Sequence, residues 1–170
     1  MTISKALEMK GTKKPILLKG TGQSMCLEVK IGSLGLEIWH FPNEEAHPYA
    51  RLIFESDQGE KTDCQLEEEG TELSVNLDWL QAFAVSSAIQ DWLLYLESNI
   101  AEYKEPALRM ELASLTFDFY RHGVGQGPRM ICTAETERGL SRQVILARSE
   151  ASLLGRLLFC LGDDEADQQD

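Results

Sequence analysis

The absences in this 170-residue chain narrow its class first. No apolar run approaches the ~18 residues that a bilayer-spanning helix needs. The opening MTISKALEMKGTKKP carries lysines but no apolar stretch of the secretory-signal kind. Cysteine occurs only as Cys26, Cys64, Cys132 and Cys160, with no C-x-x-C, which fits neither a zinc site nor a compact disulfide framework. Each lies in an apolar stretch, so buried free thiols and a cytoplasmic location are expected. There is no Gly-x-Ser-x-Gly elbow and no phosphate-loop Gly-Lys-Ser/Thr. His40, His47 and His122 are the only histidines. The first and second flank Glu44 and Glu45, yet their spacing matches no metalloenzyme motif. The sequence therefore assigns no catalytic residue, no metal and no cofactor, and a non-enzymatic role is expected.

Positive charge is also short: 16 basic groups against 28 acidic, net −12. The imbalance is local. Residues 1–30 hold six Lys and two Glu; residues 31–105 hold three basic and sixteen acidic groups; residues 106–160 hold seven Arg and five acids; the last ten hold five acids and no base. Nucleic acid and anionic membrane surfaces would be repelled by this balance. A protein partner with a basic surface would be attracted and steered, although acidity also simply aids solubility.

Apolar residues make up 43% of the chain, enough for one ordinary core. The expected organisation is a flexible basic arm over 1–14, a single domain over 15–161 and an acidic disordered tail over 162–170. Within the domain, hydrophobicity alternates with period two over much of the length. Ile16–Leu18 is a short apolar run. Leu27, Val29 and Ile31, then Leu34, Leu36 and Ile38, suggest a hairpin turning at Gly32-Ser33. Tyr49–Phe54 reads as a strand, with Thr62–Leu66 as its returning partner. Leu73, Val75, Leu77 and Trp79 give a further strand, which can run on towards Val85.

A helix is expected from Ser87, with Gln90 completing a capping box. Its stripe of Ile89, Trp92, Leu93, Leu96, Ile100 and Tyr103 ends before Glu105-Pro106. Beyond the proline the period returns to two. Parity changes at Ala113-Ser114, which predicts a bulge or kink. Two strands follow, over 130–136 and 140–147, about a Glu137-Arg138-Gly139 turn. Ser149 then caps a leucine-striped helix reaching about Leu161, with Glu150 suited to its N-terminus. No internal repeat is evident. Strands that follow one another directly favour antiparallel pairing, so the fold class is α+β: a mostly antiparallel sheet, one face covered by a central amphipathic helix and a C-terminal helix.

Three features invite a functional reading. The glycines at 123, 125 and 127 do not lead from a strand into a helix, so a hairpin loop is expected rather than a nucleotide site. Glu67, Glu68, Glu69 and Glu72 form the densest acidic cluster, either a solvated turn or a contact patch for a basic partner. Trp39 and Phe41, beside Glu44 and Glu45, combine aromatic residues with carboxylates, a composition suited to anchoring an interface. Trp92, on the helix stripe, is expected in the core.

The strand end Asp78-Trp79-Leu80, the segment Ile89-Gln90-Asp91-Trp92-Leu93-Leu94-Tyr95-Leu96 and the opening Glu105-Pro106-Ala107-Leu108 together resemble the WapI-type bacterial immunity proteins. The stretch Leu36 to Pro42 also resembles that family's strand ending in Phe-Pro, and the likeness spans about residues 34–160. The resemblance implies a role in neutralising a cognate toxin by occluding it, and carries no functional residue across. Two other classes fit the same composition: a type III secretion chaperone-like binder, and a small enzyme whose site has no recognisable motif.

Overall fold

The computed structural model describes residues 17–21, 24–41, 47–55, 73–98, 106–123 and 127–168. Strands β1 (Leu17–Thr21), β2 (Ser24–Ile31), β3 (Leu34–His40), β4 (Tyr49–Phe54) and β5 (Leu73–Asp78) form one antiparallel sheet in chain order. Helix α1 (Trp79–Glu97) follows. Strands β6 (Leu108–Leu112), β7 (Leu115–Gly123), β8 (Gly127–Glu135) and β9 (Ser141–Ala147) form a second antiparallel sheet, again in chain order, and α2 (Arg148–Gln168) closes the chain. The α+β class expected from the sequence holds. There are two sheets instead of one.

Alternation creates the core. Leu34, Leu36 and Ile38 on β3 and Ala50, Leu52 and Phe54 on β4 are buried, while the residues between them are less so. Leu115, Phe117 and Phe119, with Met130, Cys132 and Ala134, play the same part in the second sheet. The two helices pack along one another. Helix α1 lies against β4, β5 and β6, whereas α2 reaches β8 and β9 as well as β2 and β4. The helix pair therefore joins both sheets into one apolar cluster that includes Ile89, Trp92, Leu154 and Leu158.

The start of α1 differs from the sequence expectation. The strand stops at Asp78, whose carboxylate accepts the Gln81 N–H at 2.8 Å, while the Gln81 side chain accepts the Asp78 N–H at 3.0 Å. This capping box fixes the helix start eight residues before Ser87, which sits mid-helix. Strand and helix share Leu77, Trp79 and Leu80 as apolar residues, so alternation alone could not separate them. The helix ends at Glu97, with the extended Ser98 donating its N–H to the Tyr95 carbonyl. Ile100 and Tyr103 lie outside the described residues. Trp92 and Ile89 are buried, while Leu93 and Leu96 are partly buried.

Other expectations are also corrected. The partner of β4 is β5; Thr62–Leu66 lies outside the described residues. The parity change at Ala113-Ser114 is a two-residue hairpin turn, since Leu112 pairs with Leu115. Ser149 lies inside α2, and Glu150 caps instead by accepting the Ala147 N–H at 3.0 Å. The α2 backbone continues through Gln168, past Leu161, where a tail was expected to begin. The arm over 1–14 lies outside the described residues.

The order meander–helix occurs twice, although no sequence repeat announces it. At the two strand-to-helix junctions, Leu77 matches Leu146, Gln81 matches Glu150, Ala82 matches Ala151, Val85 matches Leu154 and Ile89 matches Leu158, each pair 69 residues apart. In both halves the residue four beyond the leucine reaches back to cap the helix. Burial and capping roles are preserved across the halves while residue identities differ.

Candidate partner-binding surface

The outward face of the first sheet carries an aromatic cluster. Trp39 on β3 pairs across the ladder with Tyr49 on β4. Phe41 follows β3 directly. The three rings stack, with centroids 6.2 Å apart for Trp39–Tyr49, 6.4 Å for Trp39–Phe41 and 6.1 Å for Phe41–Tyr49. All three are partly buried, so each keeps surface to offer. The cause is strand parity: Ile38 and Ala50 take the core side of their strands, which turns Trp39 and Tyr49 to the opposite face.

Polar groups hold this cluster in place. The Trp39 indole N–H donates to Glu37 Oε2 at 3.0 Å. Arg51 lies 3.5 Å from the same carboxylate oxygen and donates from Nε to Asn76 Oδ1 at 3.2 Å. Across β2 to β5 the row therefore reads Glu28, Glu37, Arg51, Asn76. Tyr49 in turn pairs with Asp78, the cap of α1. The arrangement offers a flat aromatic platform with an oriented carboxylate at its base, suited to packing against a partner surface.

The structure unites Trp39 and Phe41 as the sequence suggested, and adds Tyr49 and Glu37. Tyr49 was accessible to reasoning: like Trp39, it has the parity opposite to its strand's buried residues. Glu44, Glu45, Glu67, Glu68, Glu69 and Glu72 lie outside the described residues.

The remaining candidates take structural places. Gly123 pairs with Gly127 where β7 meets β8, and residues 124–126 lie outside the described residues. Trp92 is buried against Phe119, with ring centroids 5.4 Å apart. Cys26, Cys132 and Cys160 are buried and free of disulfides, and Cys64 lies outside the described residues. Burial pushes the Cys132 thiol well above its ordinary value. Among the described residues no group of three or more His, Cys, Asp or Glu side chains is placed to hold a metal, and no helix is long and apolar enough to cross a membrane. No family model, curated protein or solved structure matches the chain.

Proposed function

We propose that this chain is a cytoplasmic binding protein that captures a protein with a basic surface, acting as a bacterial immunity protein that neutralises its cognate toxin by occlusion. The observation that carries the reading is the Trp39–Phe41–Tyr49 stack on the outward sheet face, with the Glu37 carboxylate bound to the indole at its base. Partly exposed aromatics held rigid before contact lose little entropy on binding and anchor interfaces well. The net charge of −13 over residues 31–105 supports electrostatic attraction of a basic partner. The likeness to the WapI-type immunity proteins points the same way.

The test is growth rescue in a bacterial host. The chain is co-expressed with the toxic domain of a large secreted protein encoded next to its gene. The wild type should protect, and the Trp39→Ala/Tyr49→Ala pair should lose protection while melting at nearly the wild-type temperature. Absence of protection by the wild type, or full protection by the pair, overturns the reading. Changing Glu44, Glu45, Glu67, Glu68 and Glu69 to Gln should lower the association rate with that domain and flatten its salt dependence. An unchanged rate removes electrostatic capture from the mechanism.

A further inference from the structure

The outward face of the helix pair is independent of the sheet surface above. Four of the six large hydrophobic side chains that stand exposed among the described residues lie on these two helices: Leu80, Phe83 and Leu94 on α1, and Phe159 on α2. Phe83 and Phe159 meet across the helix crossing, ring centroids 6.3 Å apart. Between the helices runs an open groove of about 1100 Å³. Its floor is low because the crossing is built from small residues, Ser86, Ser152 and Gly155 among them, while Leu94 protrudes at its side with 57% of its surface exposed. A hollow beside a protruding leucine gives a surface both a hole and a knob. Exposed apolar side chains gathered on one helix pair are the kind of feature that a partner covers.

The charges on this face select the occupant. Glu97 of α1 and Arg148 of α2 already pair at 3.3 Å. That leaves Asp91 on α1 and Arg156 on α2, both exposed, both lining the groove and neither in an ion pair among the described residues. These four groups sum to zero on a chain whose net charge is −12. A second copy therefore meets no net charge on this face. In a two-fold contact any residue that meets another is met by it in return. Laying α1 of one copy on α2 of the other therefore forms the Asp91–Arg156 pair twice. The footprint is small: α1, at 19 residues, is about 28 Å long. Two helices side by side are about 20 Å wide, which gives roughly 560 Å² in projection. That is near the lower end of the per-partner area of stable interfaces, about 600 Å².

We propose that a second copy of this chain docks on the α1–α2 face, forming a two-fold dimer in which Leu94 of each copy enters the groove of the other and Asp91 pairs with Arg156 across the interface. This proposal does not rest on the toxin reading, which uses the opposite layer.

Sedimentation equilibrium of the full chain over a wide concentration range tests it. The wild type should dimerise, and Phe83→Glu and Leu94→Glu, both at exposed positions, should give folded monomers. Asp91→Arg and Arg156→Asp should each weaken association by roughly tenfold, because each reversal acts at two symmetric contacts. An equimolar mixture of those two variants should recover wild-type association as a heterodimer, since both of its cross-pairs are then attractive; the double variant should recover it as a homodimer. A wild-type monomer at every concentration overturns the proposal, including the case where this face binds a different protein. A dimer that survives Phe83→Glu and Leu94→Glu, or failure of the mixture to recover, overturns it equally.

Discussion

The Ser86 hydroxyl donates a 2.8 Å buried hydrogen bond to the Gly155 carbonyl, and the two residues occupy the same place in the two halves of the chain. The helices cross where each offers a small side chain. Because α1 and α2 together touch both sheets, this crossing sets how the two meander–helix units sit against each other. The bond adds direction to what apolar packing would otherwise leave free to slide.

Gly155→Ala is expected to destabilise the protein by about 1 kcal/mol. The new methyl would lie 3.1 Å from Ile89 Cγ2, and the overpacking penalty exceeds the gain in helix propensity. Ile89→Ala alone should cost about 2–5 kcal/mol, as for any fully buried aliphatic residue. The double variant should cost clearly less than the sum, because each change makes room for the other. Urea denaturation of all four proteins measures this, and strict additivity would mean that the two residues do not touch.

Gly32→Ala should be more damaging. Gly32 has φ +59° in the β2–β3 turn, and an added Cβ would fall 2.5 Å from Glu150 Oε2, the side chain that caps α2. Left-handed strain costs about 1–2 kcal/mol. The displaced cap costs about another 1 kcal/mol. Adding Glu150→Ala to Gly32→Ala should therefore cost almost nothing further. A thermal melt showing the full additional loss of a cap would place Glu150 away from this turn.

This contact also shows where the sequence was readable and where it was not. The Gly32-Ser33 hairpin was legible from alternation and turn residues, and so were β4, the β7–β8 hairpin and the leucine stripe of α2. The boundary between β5 and α1 was not, because it depends on Asp78 and Gln81 bonding each other's backbone, a signal hidden under an apolar pattern that suits both states. The division into two sheets was equally hidden: antiparallel order is local, while sheet membership depends on which strand ends find a neighbour. For the candidate surface, Trp39 and Phe41 were legible as aromatics beside acids. Their stacking with Tyr49 required the β3–β4 register, which joins residues across a loop.

Ala113 is the reverse of Gly32. It has φ +49°, the only non-glycine among the described residues in the left-handed region, within the tight turn between β6 and β7. Its side chain is exposed, so nothing is lost by removing it. Ala113→Gly should raise stability by about 0.5–1 kcal/mol, strain relief outweighing the added freedom of the unfolded chain. A lower melting temperature would show that the turn does not hold this strain in solution.

Cys132 links stability to alkaline pH. It is fully buried in the second sheet, and desolvation raises its pKa above the ordinary 9.0 because the interior disfavours the thiolate. Below pH 9.0 the thiol is protonated in both folded and unfolded chains, and its contribution is intact. Above that pH the unfolded chain releases the proton while the folded chain keeps it, so stability falls as pH rises, by about 1.4 kcal/mol per unit from this group. Cys132→Ala should remove that part of the slope. Urea midpoints for wild type and variant at pH 8, 9 and 10 should converge as pH increases, and Ellman's reagent at pH 8 should leave Cys132 unlabelled until denaturant is added. Parallel slopes, or rapid labelling of the native protein, would show that this thiol is reached by solvent.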